Sequence, residues 1–175
     1  MADTADLKIV NTRVITPEGI LENATVLVKD GMISAVSGND TDLDAKTQID
    51  AEGKYLSPGF IDIHVHGGGG YDFMDNSVEA YLEIAKLHAR YGTTAFTPTT
   101  LSCEHELLLK TLELYEQAEP LNTDGARFLG MHIEGPYFSM EQRGAQDPRF
   151  IRKPNEEEYK EILSKSSIVT RWSAA

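Results

Sequence analysis

Two histidines stand two residues apart in Asp62-Ile63-His64-Val65-His66, and four glycines, Gly67 to Gly70, follow directly. Phe60 to Val65 reads as a strand, and residues i and i+2 of a strand face the same way. His64 and His66 therefore project together, at a spacing suited to chelating one ion with two imidazoles. Such ligands suit Zn²⁺ and similar divalent metals. The glycines leave an open backbone that a substrate can approach closely. His-x-His also occurs in plain hydrogen bonding; its place at a strand end, before a glycine run, is what favours a metal.

A second cluster is Gly130-Met131-His132-Ile133-Glu134-Gly135-Pro136. His132 and Glu134 share a face, and Glu134 offers a carboxylate to complete a mixed ligand set. A surface glutamate before a turn fits this otherwise apolar strand less well. His132 either donates from behind the ligands or fills the interior beneath them. The loop Ser139 to Pro148 follows, with Arg143-Gly144-Ala145-Gln146-Asp147-Pro148. Ala145 and Gln146 offer backbone groups and an amide to a substrate, or belong to an ordinary exposed loop. In Thr97-Pro98-Thr99-Thr100 loop capping outweighs a pocket role for the hydroxyls. His88 reads as a half-buried helix residue, His105 as a solvated one, and Cys103 as a structural thiol.

These residues need elements to hold them. Up to Leu56 the chain reads as short strands and tight turns, beginning with Leu7 to Val10. Asp30-Gly31, between Ala24–Val28 and Met32–Val36, signals a two-residue hairpin. Glu52-Gly53 marks another turn. So thin a sheet needs a further surface to cover it. From Pro58 the pattern changes. Strands are expected at Phe60–Val65, Thr93–Thr97 (stopped by Pro98), Arg127–Ile133 and from Ser167. Helices are expected from Val78 to Tyr91, capped by Asn76; from Glu104 to Ala118, starting near Ser102; and from Glu156 to Leu163, capped by Asn155. Alternating strands and helices are the signature of parallel βαβ units.

The chain has 175 residues, 28 acidic and 16 basic, for a net charge of −12. That balance argues against nucleic acid or an anionic membrane as partner. The 41% hydrophobic content suffices for a core, and one cysteine excludes a disulfide scaffold. No apolar run is long enough to span a membrane. The acidic start, Met1 to Asp6, carries no signal-peptide pattern. These features point to a reducing cytoplasm.

Ile49-Asp50-Ala51-Glu52-Gly53, then Pro58-Gly59-Phe60-Ile61-Asp62-Ile63-His64-Val65-His66-Gly67, is similar to the opening of metal-dependent amidohydrolases. Three further stretches narrow the resemblance: Gly92 to Thr99, His132 to Pro136, and Gly144 to Pro148. Together they resemble the N-acetylglucosamine-6-phosphate deacetylase family, from about Leu7 to Ala175.

The resemblance implies a (β/α)₈ barrel with a small β-sandwich built from both ends of the chain. Residues 1–57 would form part of the sandwich. Residues 58–175 would form a partial barrel carrying the metal site, truncated near the fourth barrel strand. The implied reaction is metal-assisted hydrolysis of the acetamide of N-acetylglucosamine 6-phosphate, giving glucosamine 6-phosphate and acetate. The implied metal ligands are His64, His66 and Glu134, for one or two divalent ions, zinc first. Ala145 and Gln146 would contact the sugar phosphate, although many relatives have histidine where Gln146 stands. The complete enzyme would be a homo-oligomer. The family runs to roughly twice this length, in line with the ~250 residues of a barrel alone. Two more histidine ligands and the catalytic aspartate would lie in the other half, so this chain alone is expected to be inactive, with open sheet edges that make it poorly soluble or oligomeric. Two other readings stand beside this one. One is an amidohydrolase acting on cyclic amides, which usually carries a carboxylated lysine at the fourth strand. The other is a non-catalytic remnant, or a split half that needs a second chain.

Overall fold

A computed structural model describes residues 4–38, 43–165 and 167–175. The start of the acidic N-terminal stretch, read above for targeting signals, lies outside the described residues. The protein divides into two units, one through Pro58 and one from Gly59 to Ala175.

The first unit is a single sheet. Its strands are β1 (Ala5–Thr16), β2 (Gly19–Lys29), β3 (Met32–Ser37), β4 (Ala45–Asp50) and β5 (Tyr55–Leu56). The order is β3-β2-β1-β4, and β5 also pairs with β1. The β2–β3 turn has positive φ at both central residues, Asp30 and Gly31, as the dipeptide demands. The Glu52-Gly53 turn is no hairpin: β4 and β5 both run parallel to β1 and follow one another along it. β1 is much longer than Leu7–Val10. It continues through the polar Asn11-Thr12-Arg13 because Thr12 is fully buried and its hydroxyl donates to the Lys54 carbonyl at 2.9 Å. Val14, Ala24 and Val26 form a small core, while Met32 and Ile33 remain mostly exposed. Among the described residues of this unit, the thin sheet has no full covering layer.

The second unit is mixed α/β. It runs β6 (Phe60–Val65), a small ribbon of β7 (Gly67–Gly68) and β8 (Tyr71–Asp72), α1 (Val78–Arg90), β9 (Thr93–Pro98) and α2 (His105–Ala118). Then come β10 (Arg127–Phe128), β11 (Met131–Glu134), α3 (Glu156–Ser164) and β12 (Val169–Ser173). β6, β9 and β10 pair in parallel, β11 meets the end of β9 through Thr99 and His132, and β12 pairs in parallel with β11. β9 thus lies between β6 before it and β10 after it, and β12 lies beside β11.

Several boundaries differ from expectation. Ser77, not Asn76, caps α1, accepting from the Ala80 N–H; Asn76 sits at positive φ, where a cap cannot form. Pro98 belongs to β9 rather than stopping it. The hydrogen bond to the Val65 carbonyl comes from Thr99 N at 2.7 Å, so the missing proline N–H costs nothing there. α2 starts at His105 without a side-chain cap: Glu104 holds the cap position, and Ser102 donates its backbone N–H to Gln146 Oε1. The strand expected at 127–133 is broken into β10 and β11. The break falls at Gly130 (φ 89°), where a Cβ would lie 2.6 Å from the Ile168 carbonyl, so only glycine fits. β12 begins two residues later than expected. Asn155 caps α3 as expected, accepting from Glu157 and Glu158 N–H.

The core of this unit is aromatic. Phe73, Tyr81, Phe96, Tyr115 and Phe128 pack between the strands and helices, all at most 5% exposed. Phe96 touches Phe73, His88 and Phe128, with ring centroids 5.1–5.9 Å away. The Tyr81 hydroxyl donates to the Thr111 carbonyl, so its polar end is satisfied. β6 is different: Phe60, Ile61 and Ile63 are 68%, 66% and 55% exposed, on both faces of the strand.

Candidate metal centre

β6 carries His64 and His66 on one face, and the end of β11 brings Glu134 to them. The His64 and His66 Nε2 atoms are 3.1 Å apart, and each is 3.1 Å from Glu134 Oε2. Three donor atoms thus form a nearly equilateral triangle. Donors bound tetrahedrally to zinc at 2.0–2.1 Å lie about 3.3 Å apart, close to this spacing. The donor set also suits a divalent cation: two imidazoles and one carboxylate. All three side chains reach solvent, with 41%, 35% and 21% exposure, so an ion and a water have access.

The proton on His66 is fixed by its neighbour. Its Nδ1 lies 3.2 Å from the Thr99 carbonyl, which can only accept. Nδ1 therefore carries the hydrogen, and Nε2 turns its lone pair to the triangle, as a ligand histidine must. The Glu134 backbone N–H donates to Thr100 Oγ1 at 3.2 Å, and the His64 N–H donates to Asp62 Oδ1 at 3.0 Å. His132 is not part of the triangle. It is fully buried, and its ring stands edge-on to His64 with centroids 4.8 Å apart. Burial above all, with the nearby charges of His64 and Arg171, pulls its imidazole down to about 4.

Ala145 and Gln146 stand outside the triangle too. They line a cavity of about 290 Å³ with Leu101, Ser102, Asp147 and Phe150. Gln146 is buried and its Oε1 accepts from Ser102 N at 2.8 Å, so that oxygen is held by the chain itself. His88 is half-buried as expected, 3.4 Å from the Gly67 carbonyl. His105 is not solvated: it lies between Glu158 and Glu161 of α3, at 3.4 and 2.8 Å. The threonines after β9 are neither pocket groups nor loop caps; they tie strand ends together. Sequence reasoning saw that run without its role. It missed Ser173 altogether, whose hydroxyl is 2.8 Å from His132 Nε2.

Cys103 is 5% exposed, and burial pushes its thiol up to about 11. At pH 8 the native protein is expected to react with iodoacetamide about a hundredfold slower than the denatured chain. Equal rates would contradict this. The folded thiol keeps its proton where an unfolded cysteine loses it, so its contribution to stability falls as pH rises from about 8.5 to about 11.

Residues 55–173 match the amidohydrolase family, and the chain belongs to it. The similarity runs further, to amino-sugar phosphate deacetylases. The chain is 35% identical over 158 residues to N-acetylglucosamine-6-phosphate deacetylase of Bacillus subtilis, covering 88% of this chain and 40% of that protein. It is 32% identical over 159 residues to N-acetylgalactosamine-6-phosphate deacetylase of Escherichia coli O157:H7, covering 91% and 41%. Among solved structures, N-acetylglucosamine-6-phosphate deacetylase from Pasteurella multocida superposes with a TM-score of 0.83 at 27% identity, covering 96% of this chain and 44% of that one. The chain thus spans about two fifths of the length of the curated relatives it matches. Among the described residues, no helix is long and apolar enough to cross a membrane.

Proposed function

We propose that the second unit is the first part of a (β/α)₈ barrel, and that the whole protein deacetylates N-acetylglucosamine 6-phosphate. The products are glucosamine 6-phosphate and acetate. The observation that carries this reading is the triangle of His64, His66 and Glu134 at the ends of two parallel strands. Active sites of such barrels sit at the C-terminal ends of the strands. Parallel strands laid side by side in sequence order support the barrel. The similarity to deacetylases supports the substrate.

In this reading His64, His66 and Glu134 would hold one or two divalent ions, zinc first, which when bound would supply a water of lowered pKa and polarisation of the acetamide carbonyl. The chain's own part is to hold and orient. His64, His66 and Glu134 supply ligand atoms, and the Thr99 carbonyl keeps the His66 proton away from the centre. Ala145 and Gln146 form part of the sugar-phosphate subsite. The aspartate that serves as general base, and two further histidine ligands, belong to the length of the relatives that this chain does not span. The complete enzyme acts as a homo-oligomer in the cytoplasm. β12 carries no lysine, which speaks against a cyclic-amide hydrolase with a carboxylated lysine there.

The test is acetate release by the protein purified from its own cells and loaded with Zn²⁺. Three substrates are offered: N-acetylglucosamine 6-phosphate, its galactosamine epimer, and a hydantoin. Fastest turnover of the first is expected. Preference for the epimer would move the assignment to that sugar. Hydantoin opening without acetate release would overturn the deacetylase reading.

A further inference from the structure

The three ligand side chains do not hold themselves in place. Behind them runs a buried chain of hydrogen bonds whose protons can be assigned one by one. The Thr99 hydroxyl has a single proton and donates it to the Thr97 carbonyl at 3.1 Å. The same oxygen accepts from the Val65 N–H at 3.1 Å, between the two ligand histidines. His132 Nδ1 lies 3.4 Å from that oxygen, whose proton is already committed, so Nδ1 is the donor. His132 Nε2 is then bare and accepts from the Ser173 hydroxyl at 2.8 Å. The proton order runs Ser173 to His132 to Thr99 to Thr97, and each of these protons has an acceptor. Both Thr99 and His132 are fully buried, which shields the Thr99–His132 contact from water, while Ser173 at the end of β12 is half-buried.

We propose that Thr99 is a positioning residue of the metal centre, acting on both ligand histidines at once. Its carbonyl sets the His66 tautomer. Its hydroxyl anchors Val65 and orients His132, whose ring edge then fixes the plane of His64 at 84°. The hydroxyl of Thr99 bonds to Val65, Thr97 and His132 rather than to a proposed ligand side chain, so its effect reaches the ion through these neighbours. This inference rests on the reading of His64, His66 and Glu134 as metal ligands.

The test uses the full chain, labelled with ¹⁵N, and two variants. In wild-type protein, long-range ¹H–¹⁵N spectra should show the hydrogen on Nδ1 of both His132 and His66. A hydrogen on Nε2 of either would overturn the proposal, whether or not metal binds. Thr99→Val removes the hydroxyl at nearly constant volume, while Thr99→Ser keeps it. Zn²⁺ affinity, measured by competition with a chromogenic chelator, should fall at least tenfold in Thr99→Val and less than threefold in Thr99→Ser. Equal affinities in a folded Thr99→Val would overturn the proposal. If Thr99→Val does not fold, the wild-type tautomers decide. Failure of the wild type to bind Zn²⁺ would sink the metal-centre reading and the proposal's functional part together. Zn²⁺ binding without deacetylation would sink only the substrate.

Discussion

Glu134→Gln is expected to lower the Zn²⁺ affinity of the protein at least a hundredfold, on the order of 3 kcal/mol. The substitution keeps the size of the side chain and removes its negative charge. Both imidazole nitrogens of the triangle lie 3.1 Å from Oε2, so that oxygen is shared by the whole set. It is also the one anion among the three proposed ligands of this chain, and a neutral amide oxygen holds a divalent ion much less tightly. Without metal the sign is reversed. The amide of glutamine can donate to the bare His66 nitrogen, whereas the carboxylate only places another lone pair beside it. The metal-free variant should therefore melt at or slightly above the wild-type temperature. Chelator competition gives the affinity, and circular dichroism gives the melting point. A loss of affinity below tenfold would remove Glu134 from the ligand set.

Phe96→Ala is expected to destabilise the α/β unit by about 3–5 kcal/mol. Phe96 has no exposure and sits at the middle of the aromatic core, against Phe73, His88 and Phe128. Backbone from β6 and β10 flanks β9, so the emptied space cannot easily collapse. Domains of this size hold about 5–15 kcal/mol in total, so the loss is a large share. The melting temperature should fall by roughly 10–20 °C. Phe60→Ala is the control. Phe60 is 68% exposed, and its loss should cost under about 0.5 kcal/mol in this chain. Calorimetry on both variants checks the pair. Equal costs would mean that β9 does not lie at the centre of the core.

That His64 and His66 face the same way was legible because a strand has a period of two. Glu134 was legible from its place after an apolar strand. The α/β alternation and the Asp30-Gly31 turn also follow from local pattern alone. What stayed hidden depends on distant partners. His105 looks like a polar residue at a helix start; its partners Glu158 and Glu161 lie more than fifty positions on. Ser173 reaches His132 only through the register of β12 on β11, which nothing near Ser173 encodes. The choice of Ser77 over Asn76 as cap turns on a positive φ that both neighbours tolerate in sequence terms. The break at Gly130 is set by the backbone of Ile168, again far along the chain.

These parallel pairings also bear on how the chain comes off the ribosome. Synthesis proceeds at about 5–20 residues per second, slower than local structure forms. Of the parallel strands of this unit β6 emerges first, and β9, which appears after the β7–β8 ribbon and α1, pairs with it. β10 then joins β9, and β12 joins β11, each arriving after its neighbour already exists. Each of these three pairings joins strands with one α-helix between them in the chain. The nascent chain can therefore be laid down as a ratchet, each step closing a loop of a few tens of residues. Short closures of this kind favour fast assembly.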